Sequence, residues 1–157
     1  MIEYLIGVDG GGTGTRVRLA SLDGVELAQA TAGPSALSQG IAKAWTTILS
    51  AVGEACAAAD IGDPPLAAMG IGLGLAGVHN KEWAAQFTAA NPGFAALVLD
   101  TDGFSTLMGA HGGKPGAIVA IGTGSVGEAM LEDGTKVEVG GWGFPAGDEA
   151  GGAWMGL

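Results

Sequence analysis

Positive charge is what this sequence has least of: 6 Lys and Arg against 16 Asp and Glu give a formal net charge of −10. A field of that sign repels nucleic-acid phosphates and anionic membrane surfaces, so neither is an expected partner. A small phosphate ligand must then be held by backbone N–H groups and a metal ion, because few cationic side chains are at hand. Cysteine is nearly absent as well. The single Cys56 cannot close an internal disulfide, which favours a reducing compartment. Long apolar runs are missing too. The two most apolar, residues 71–78 and 95–99, fall far short of the ~20 residues that span a bilayer. No charged segment followed by an apolar stretch opens the chain, so no signal peptide is expected, and the natural reading is a soluble cytoplasmic protein.

What the chain does have is glycine, 31 in 157 residues, together with 48% hydrophobic and only 14% charged residues. That composition describes a well-buried globular protein with many turns, either one domain or part of a two-lobed one. Residues 2–8 read as a buried strand. Residues 15–22 alternate in part, with Val17 and Leu19 set against Arg16 and Arg18, and Asp23-Gly24 offers a turn into a third strand over 25–30. From Ser38, a candidate N-cap, apolar residues from Ile41 to Cys56 recur at helical spacing, and residues 60–65 stop that helix. Then come a strand over 66–75, a helix over 80–90, a strand over 95–99 and a helix over 104–110. The fold class is α/β: a mixed sheet flanked by helices, its first three strands antiparallel.

Beyond a glycine-rich linker at 112–116 the pattern repeats. Gly12-Thr13-Gly14-Thr15 is answered by Gly122-Thr123-Gly124-Ser125, and Asp23-Gly24 by Asp133-Gly134, both at an offset of 110 residues. Each glycine turn sits between an apolar strand and a strand-turn-strand unit. Two features at one offset favour duplication over chance. A second copy starting near Ala117 would need roughly 100–115 residues, and only 41 remain, so the chain is expected to be the opening of a longer protein whose last helix begins near Asp148.

The stretch "GVDGGGTGTR" is not a Walker A loop, since Thr13-Gly14 stands where a lysine is needed. Nor is it a dinucleotide fingerprint, because Thr15 replaces the third glycine and a strand follows in place of a helix. What remains is a hairpin whose backbone amides, with the Thr13 and Thr15 hydroxyls, reach phosphate oxygens, while Asp9 faces a Mg²⁺ bound to them. A tight turn with no ligand is the competing reading for one hairpin. Two equivalent hairpins favour the ligand, because together they can clamp the β- and γ-phosphates of ATP.

Six motifs run through the chain in order: "GVDGGGTGTR", "AGPS", "GLGLAGV", "LDTDG", "AIGTGSVG" and "GGWGFPAGDEAGGAWMG". In these the sequence resembles the N-acetylglucosamine kinase branch of the BadF/BadG/BcrA/BcrD ATPase family, within the sugar kinase, Hsp70 and actin superfamily. The resemblance implies a ribonuclease-H-like, actin-like ATPase fold of two lobes with ATP and sugar in the cleft. Residues 1–114 would form most of the first lobe and 115–157 the opening of the second.

The resemblance also implies roles. Asp9 falls at the metal–phosphate site, Gly11, Gly12 and Thr13 in the first phosphate loop, and Gly122, Thr123 and Gly124 in the second. Asp102 matches the carboxylate that takes the proton from the sugar hydroxyl. A plain helix N-cap is its structural alternative, and Asp100 its local competitor. Asp148 matches a sugar-hydroxyl ligand, with Gly141 and Trp142 beside it, although packing is the expected role of Trp142. Where the family often carries an asparagine after "GPS", this chain has Ala36-Leu37-Ser38, which leaves glucosamine and N-acetylglucosamine both open as the acceptor. The implied activity is ATP- and Mg²⁺-dependent phosphorylation of an amino sugar, with a homodimer an admissible assembly. The alternative is the ATPase activator of a 2-hydroxyacyl-CoA dehydratase type enzyme, which holds an iron–sulfur cluster through cysteines. The lone Cys56 sets it lower.

Overall fold

Alternation decides the first sheet. In a computed structural model describing residues 1–63 and 65–156, β1 (Tyr4–Gly10) buries Ile6 and Val8, and β2 (Thr15–Ser21) buries Val17 and Leu19 while Arg16 and Arg18 face outward. β3 (Glu26–Ala32) completes an antiparallel meander. β4 (Met69–Leu75) and β5 (Ala96–Asp100) then lie parallel to β1 on its other side, giving the order β3-β2-β1-β4-β5. β4 is nearly buried along its length, as a strand with neighbours on both sides requires.

α1 (Ile41–Ala58) lies across β2 and β3 and presents Trp45, Ile48, Val52 and Cys56 to the inward side chains of the sheet. Each fully buried Val, Leu or Ile there contributes roughly 1.5–3 kcal/mol. α2 (Lys81–Ala89) starts at Asn80, whose side chain accepts the N–H groups of Glu82 and Trp83, as an N-cap does. Its Phe87 stacks on Trp45 with ring centroids 4.1 Å apart, and the Trp45 indole donates to the Phe87 carbonyl at 3.0 Å.

Two local expectations for this unit are corrected. Ser38 is not the cap of α1: it sits in a short 3-10 turn over Leu37–Gln39, and Gly40, at φ 114°, precedes the helix. Burial of Leu37 and its N–H bond to the Ala76 carbonyl (3.0 Å) draw the chain inward there and delay the helix. The strand expected over 66–75 begins at Met69, because Leu66–Ala68 form a 3-10 turn after Pro65.

The chain divides into two compact units, Met1–Asp102 and a second from Gly103 onward, so the boundary falls within the first turn of α3 (Asp102–His111). The glycine-rich segment 112–116 lies inside the second unit, joining α3 to β6 (Gly116–Ile121). β7 (Ser125–Met130) and β8 (Lys136–Gly140) follow in an antiparallel sheet of order β6-β7-β8. Glu128 of β7 is 5% exposed, and its carboxylate lies against Gly103: a Cβ there would come within 2.8 Å of Oε1. His111 closes the α3–β6 connection by donating from Nε2 to the Ala117 carbonyl at 3.1 Å.

The helix expected near Asp148 begins later. α4 spans Gly152–Met155. Asp148 and Ala150 both hold φ 67°, a left-handed backbone that no α-helix admits, and the Gly151 N–H closes a turn on the Asp148 carbonyl. Among the described residues, no helix is long and apolar enough to cross a membrane.

Candidate functional site

The β1–β2 hairpin closes through the Gly11 N–H donating to the Gly14 carbonyl at 3.0 Å, which leaves Gly12 and Thr13 at its tip. The segment after β3 holds two more of the loop's carbonyls. Gly11 O accepts from the amides of Ser35 (3.1 Å) and Ala36 (3.2 Å), and Gly12 O accepts from the Gln39 side chain (3.2 Å). In a trans peptide the N–H points opposite to the C=O, so anchoring these carbonyls turns the amides of Gly12 and Thr13 the other way. Among the described residues, no carbonyl takes either hydrogen. Successive outward amides at a loop tip form an anion-binding concavity.

Asp9, Gly11, Thr13, Gly14 and Arg16 line one open cleft of about 340 Å³ beside this loop. Asp9 is exposed at the end of β1 and pairs in register with Arg16 of β2. Among the described residues no three His, Cys, Asp or Glu side chains converge on a metal position, and Asp9 is the carboxylate that lines this cleft. One carboxylate fits Mg²⁺, which keeps several waters and takes the rest of its oxygens from substrate phosphates.

Thr15 departs from expectation. Its hydroxyl was expected to reach phosphate, but the residue is 4% exposed. The side chain faces inward, donating to the Gly33 carbonyl at 2.7 Å and sharing a hydrogen bond with Ser35 at 2.7 Å. Strand alternation enforces this: Thr15 shares the inward face with Val17 and Leu19. Gly10 leaves the room that this pair needs, since a Cβ there would overlap Ser35 and come within 2.7 Å of Leu75.

The second hairpin is built alike from another segment. The Gly122 N–H donates to Gly124 O at 2.9 Å, and the carbonyls of Gly122 and Thr123 accept from the amides of Gly152 (2.7 Å) and Ala153 (3.0 Å) at the start of α4. The carboxylate of Asp148 lies against Gly124, so a Cβ at 124 would overlap it. Gly141, at φ 70°, donates its N–H to Ser125 O at 2.9 Å. Gly122, Thr123, Gly124, Gly141 and Asp148 therefore form one cluster. Trp142 does not pack as expected: it is 82% exposed on the loop after β8.

Asp102 is the first residue of α3 and exposed, just past the end of β5. Asp100 turns its carboxylate back onto the adjacent Thr101 N–H at 2.9 Å. Cys56 is 0% exposed, and burial pushes its thiol above the ordinary range, away from thiolate and metal-ligand chemistry. Sequence reasoning missed Gln39 and Arg16. Arg16 ends the first glycine motif but reads in the sequence only as an outward strand residue, and Gln39 lies in no motif; the hairpin pairing and the 3-10 turn bring them to the loop.

A five-stranded sheet of order 3-2-1-4-5 with a glycine hairpin between its first two strands, and a second hairpin of the same kind following, defines an actin-like ATPase fold. The chain belongs to the BadF/BadG/BcrA/BcrD ATPase family, whose profile matches residues 6–157. It is 37% identical over 157 residues to the glucosamine kinase GspK of Vibrio cholerae, aligning 99% of this chain with 53% of that one. It is 26% identical to the N-acetylmuramic acid/N-acetylglucosamine kinase of Clostridium acetobutylicum, covering 52% of it. A crystal structure from Chromobacterium violaceum, provisionally named an N-acetylglucosamine kinase, superposes with a TM-score of 0.95 at 61% identity, over 99% of this chain and 54% of that one. The chain thus spans about half the length of the curated relatives it matches.

Proposed function

We propose that this chain supplies the N-terminal part of a two-lobed kinase that transfers the γ-phosphoryl group of ATP to an amino sugar, glucosamine or N-acetylglucosamine. The observation that carries the reading is the shared polarity of the two hairpins. Each has its tip carbonyls anchored inward by a distant segment, which leaves amide hydrogens for phosphate oxygens. Relatives named as sugar kinases support the acceptor class.

In this reading Gly11, Gly12 and Thr13 bind one side of the triphosphate, and Gly122, Thr123 and Gly124 the other. Asp9 would hold Mg²⁺, which neutralises charge on the β- and γ-phosphates when bound. Asp148, with Gly141 and Trp142 beside it, orients sugar hydroxyls. Asp102 accepts the proton of the attacking hydroxyl as the sugar oxygen bonds to the γ-phosphorus. The bond to the bridging oxygen breaks, and ADP leaves with that electron pair. Positioning and charge stabilisation do most of the work, as in other phosphoryl transfers. The buried Cys56 disfavours the dehydratase-activating ATPase, which needs cysteines presented to a cluster.

A coupled ADP-release assay of the whole protein with glucosamine, N-acetylglucosamine, glucose and no sugar tests the proposal. Turnover should depend on an amino sugar, and equal ADP release without sugar would reject it. Asp102→Asn should retain sugar binding and lower turnover by ~10²-fold or more; near-normal turnover removes Asp102 from the role.

A further inference from the structure

We infer that Gln39 is the positioning residue of the first phosphate hairpin, setting the orientation of the tip peptide and thereby the affinity for nucleotide phosphate. The inference rests on the phosphate-binding reading of that hairpin. The Gly12–Thr13 peptide lies beyond the last ladder pair, Gly10 with Thr15, so no strand partner fixes its orientation. Glycine at 12 lowers the barrier to turning it over. Such a flip would aim a carbonyl, in place of the Thr13 N–H, at an incoming anion.

Gln39 removes that freedom. Its Nε2 donates to Gly12 O at 3.2 Å, and its Oε1 accepts from the Lys43 ammonium at 3.0 Å. The two contacts settle which way the amide faces. An ammonium is a donor only, so the oxygen must meet Lys43 and the NH₂ must meet Gly12. Lys43 is carried on the first turn of α1, and Gln39 ends the 3-10 turn before it. The support therefore runs from a helix through one side chain to the loop tip. The Gly11–Gly12 peptide is held separately, by the main-chain amides of Ser35 and Ala36, and needs no side chain. Gln39 is thus the side-chain hold on the tip. Because the bond is exposed, its loss costs the fold little, and its effect falls on phosphate.

Titration of Mg·ADP into the whole protein, beside sugar KM and melting temperature, tests this. Gln39→Ala should weaken Mg·ADP by about fivefold, the worth of one hydrogen bond, with sugar KM and melting temperature unchanged. Gln39→Glu keeps the pairing with Lys43 but sets an oxygen against Gly12 O, so it should bind more weakly than Gln39→Ala, by about twentyfold relative to the unsubstituted protein. Unchanged Mg·ADP affinity in both variants overturns the inference. So does an affinity loss that tracks a fall in melting temperature. Failure of the unsubstituted protein to bind Mg·ADP instead overturns the phosphate reading itself.

Discussion

The two glycine-threonine hairpins share a sequence and a polarity but not a register. The first pairs Gly10 with Thr15, enclosing Gly11 to Gly14, and the second pairs Ile121 with Ser125, enclosing only Gly122 to Gly124. At the offset of 110 residues the partner of Ser125 would be Ala120, so the second ladder has slipped by one. A one-residue slip exchanges the faces of a strand. β2 accordingly buries Val17 and Leu19 and exposes Arg18, whereas in β7 the counterpart of Arg18, Glu128, is the buried residue. The clamps differ as well: main-chain and side-chain donors from 35–39 hold the first loop, and the first amides of α4 the second. Asp9 has as its counterpart Val119, 74% exposed, so the strand that enters the second hairpin ends without the carboxylate that the first one carries. The two hairpins share outward amides, while their register and the segments that hold their carbonyls differ.

That comparison can be broken at several points. Asp9→Asn should lower turnover by ~10²-fold, with a raised Mg²⁺ requirement, because the neutral amide is a poor cation ligand; steady-state kinetics across a Mg²⁺ series would show it. Gly10→Ala forces a Cβ into Ser35 and Leu75, and we predict a loss of about 1–3 kcal/mol in denaturant unfolding. Thr15→Val strands the buried Ser35 hydroxyl, also removes the bond to the Gly33 carbonyl, and should cost about 1–2 kcal/mol. Its counterpart Ser125→Ala loses one exposed bond to the Glu149 carbonyl and should cost less, about 0.5 kcal/mol. Equal losses in the two would erase the buried–exposed distinction. Smallest of all, Val119→Thr should leave turnover within about twofold, as an exposed substitution away from any clamp does. A large loss there would mean that the second strand end, like the first, takes part in the chemistry.

Legibility in the sequence followed the distance over which each feature is determined. The strands, the helix over 80–90 and both glycine turns could be read because alternation and turn chemistry act within a few residues. The positions of Asp9 and of the Gly-Thr-Gly tips at strand ends followed from the same local signals. What could not be read depends on partners far along the chain. Thr15 looks like a ligand-facing hydroxyl until Ser35, 20 residues on, claims it. Asp148 looks like the start of the last helix until the left-handed backbone at 148 and 150 delays α4, and its carboxylate lies against Gly124. Gln39 carries no motif, and its role arises only where a 3-10 turn meets a hairpin tip. The departure at Ala36-Leu37 also becomes intelligible, for both side chains are buried in the core of the first unit.

Trp142 has a consequence of an optical kind. Its indole stands almost wholly in water, whereas Trp45 is enclosed against Phe87 and Phe94. In the folded protein the enclosed ring should emit at shorter wavelength than the open one. If sugar settles beside Gly141 and Asp148, the long-wavelength component should shift toward blue, and a Trp142→Phe variant should lose that response. Trp142 would then report sugar binding with no label to add.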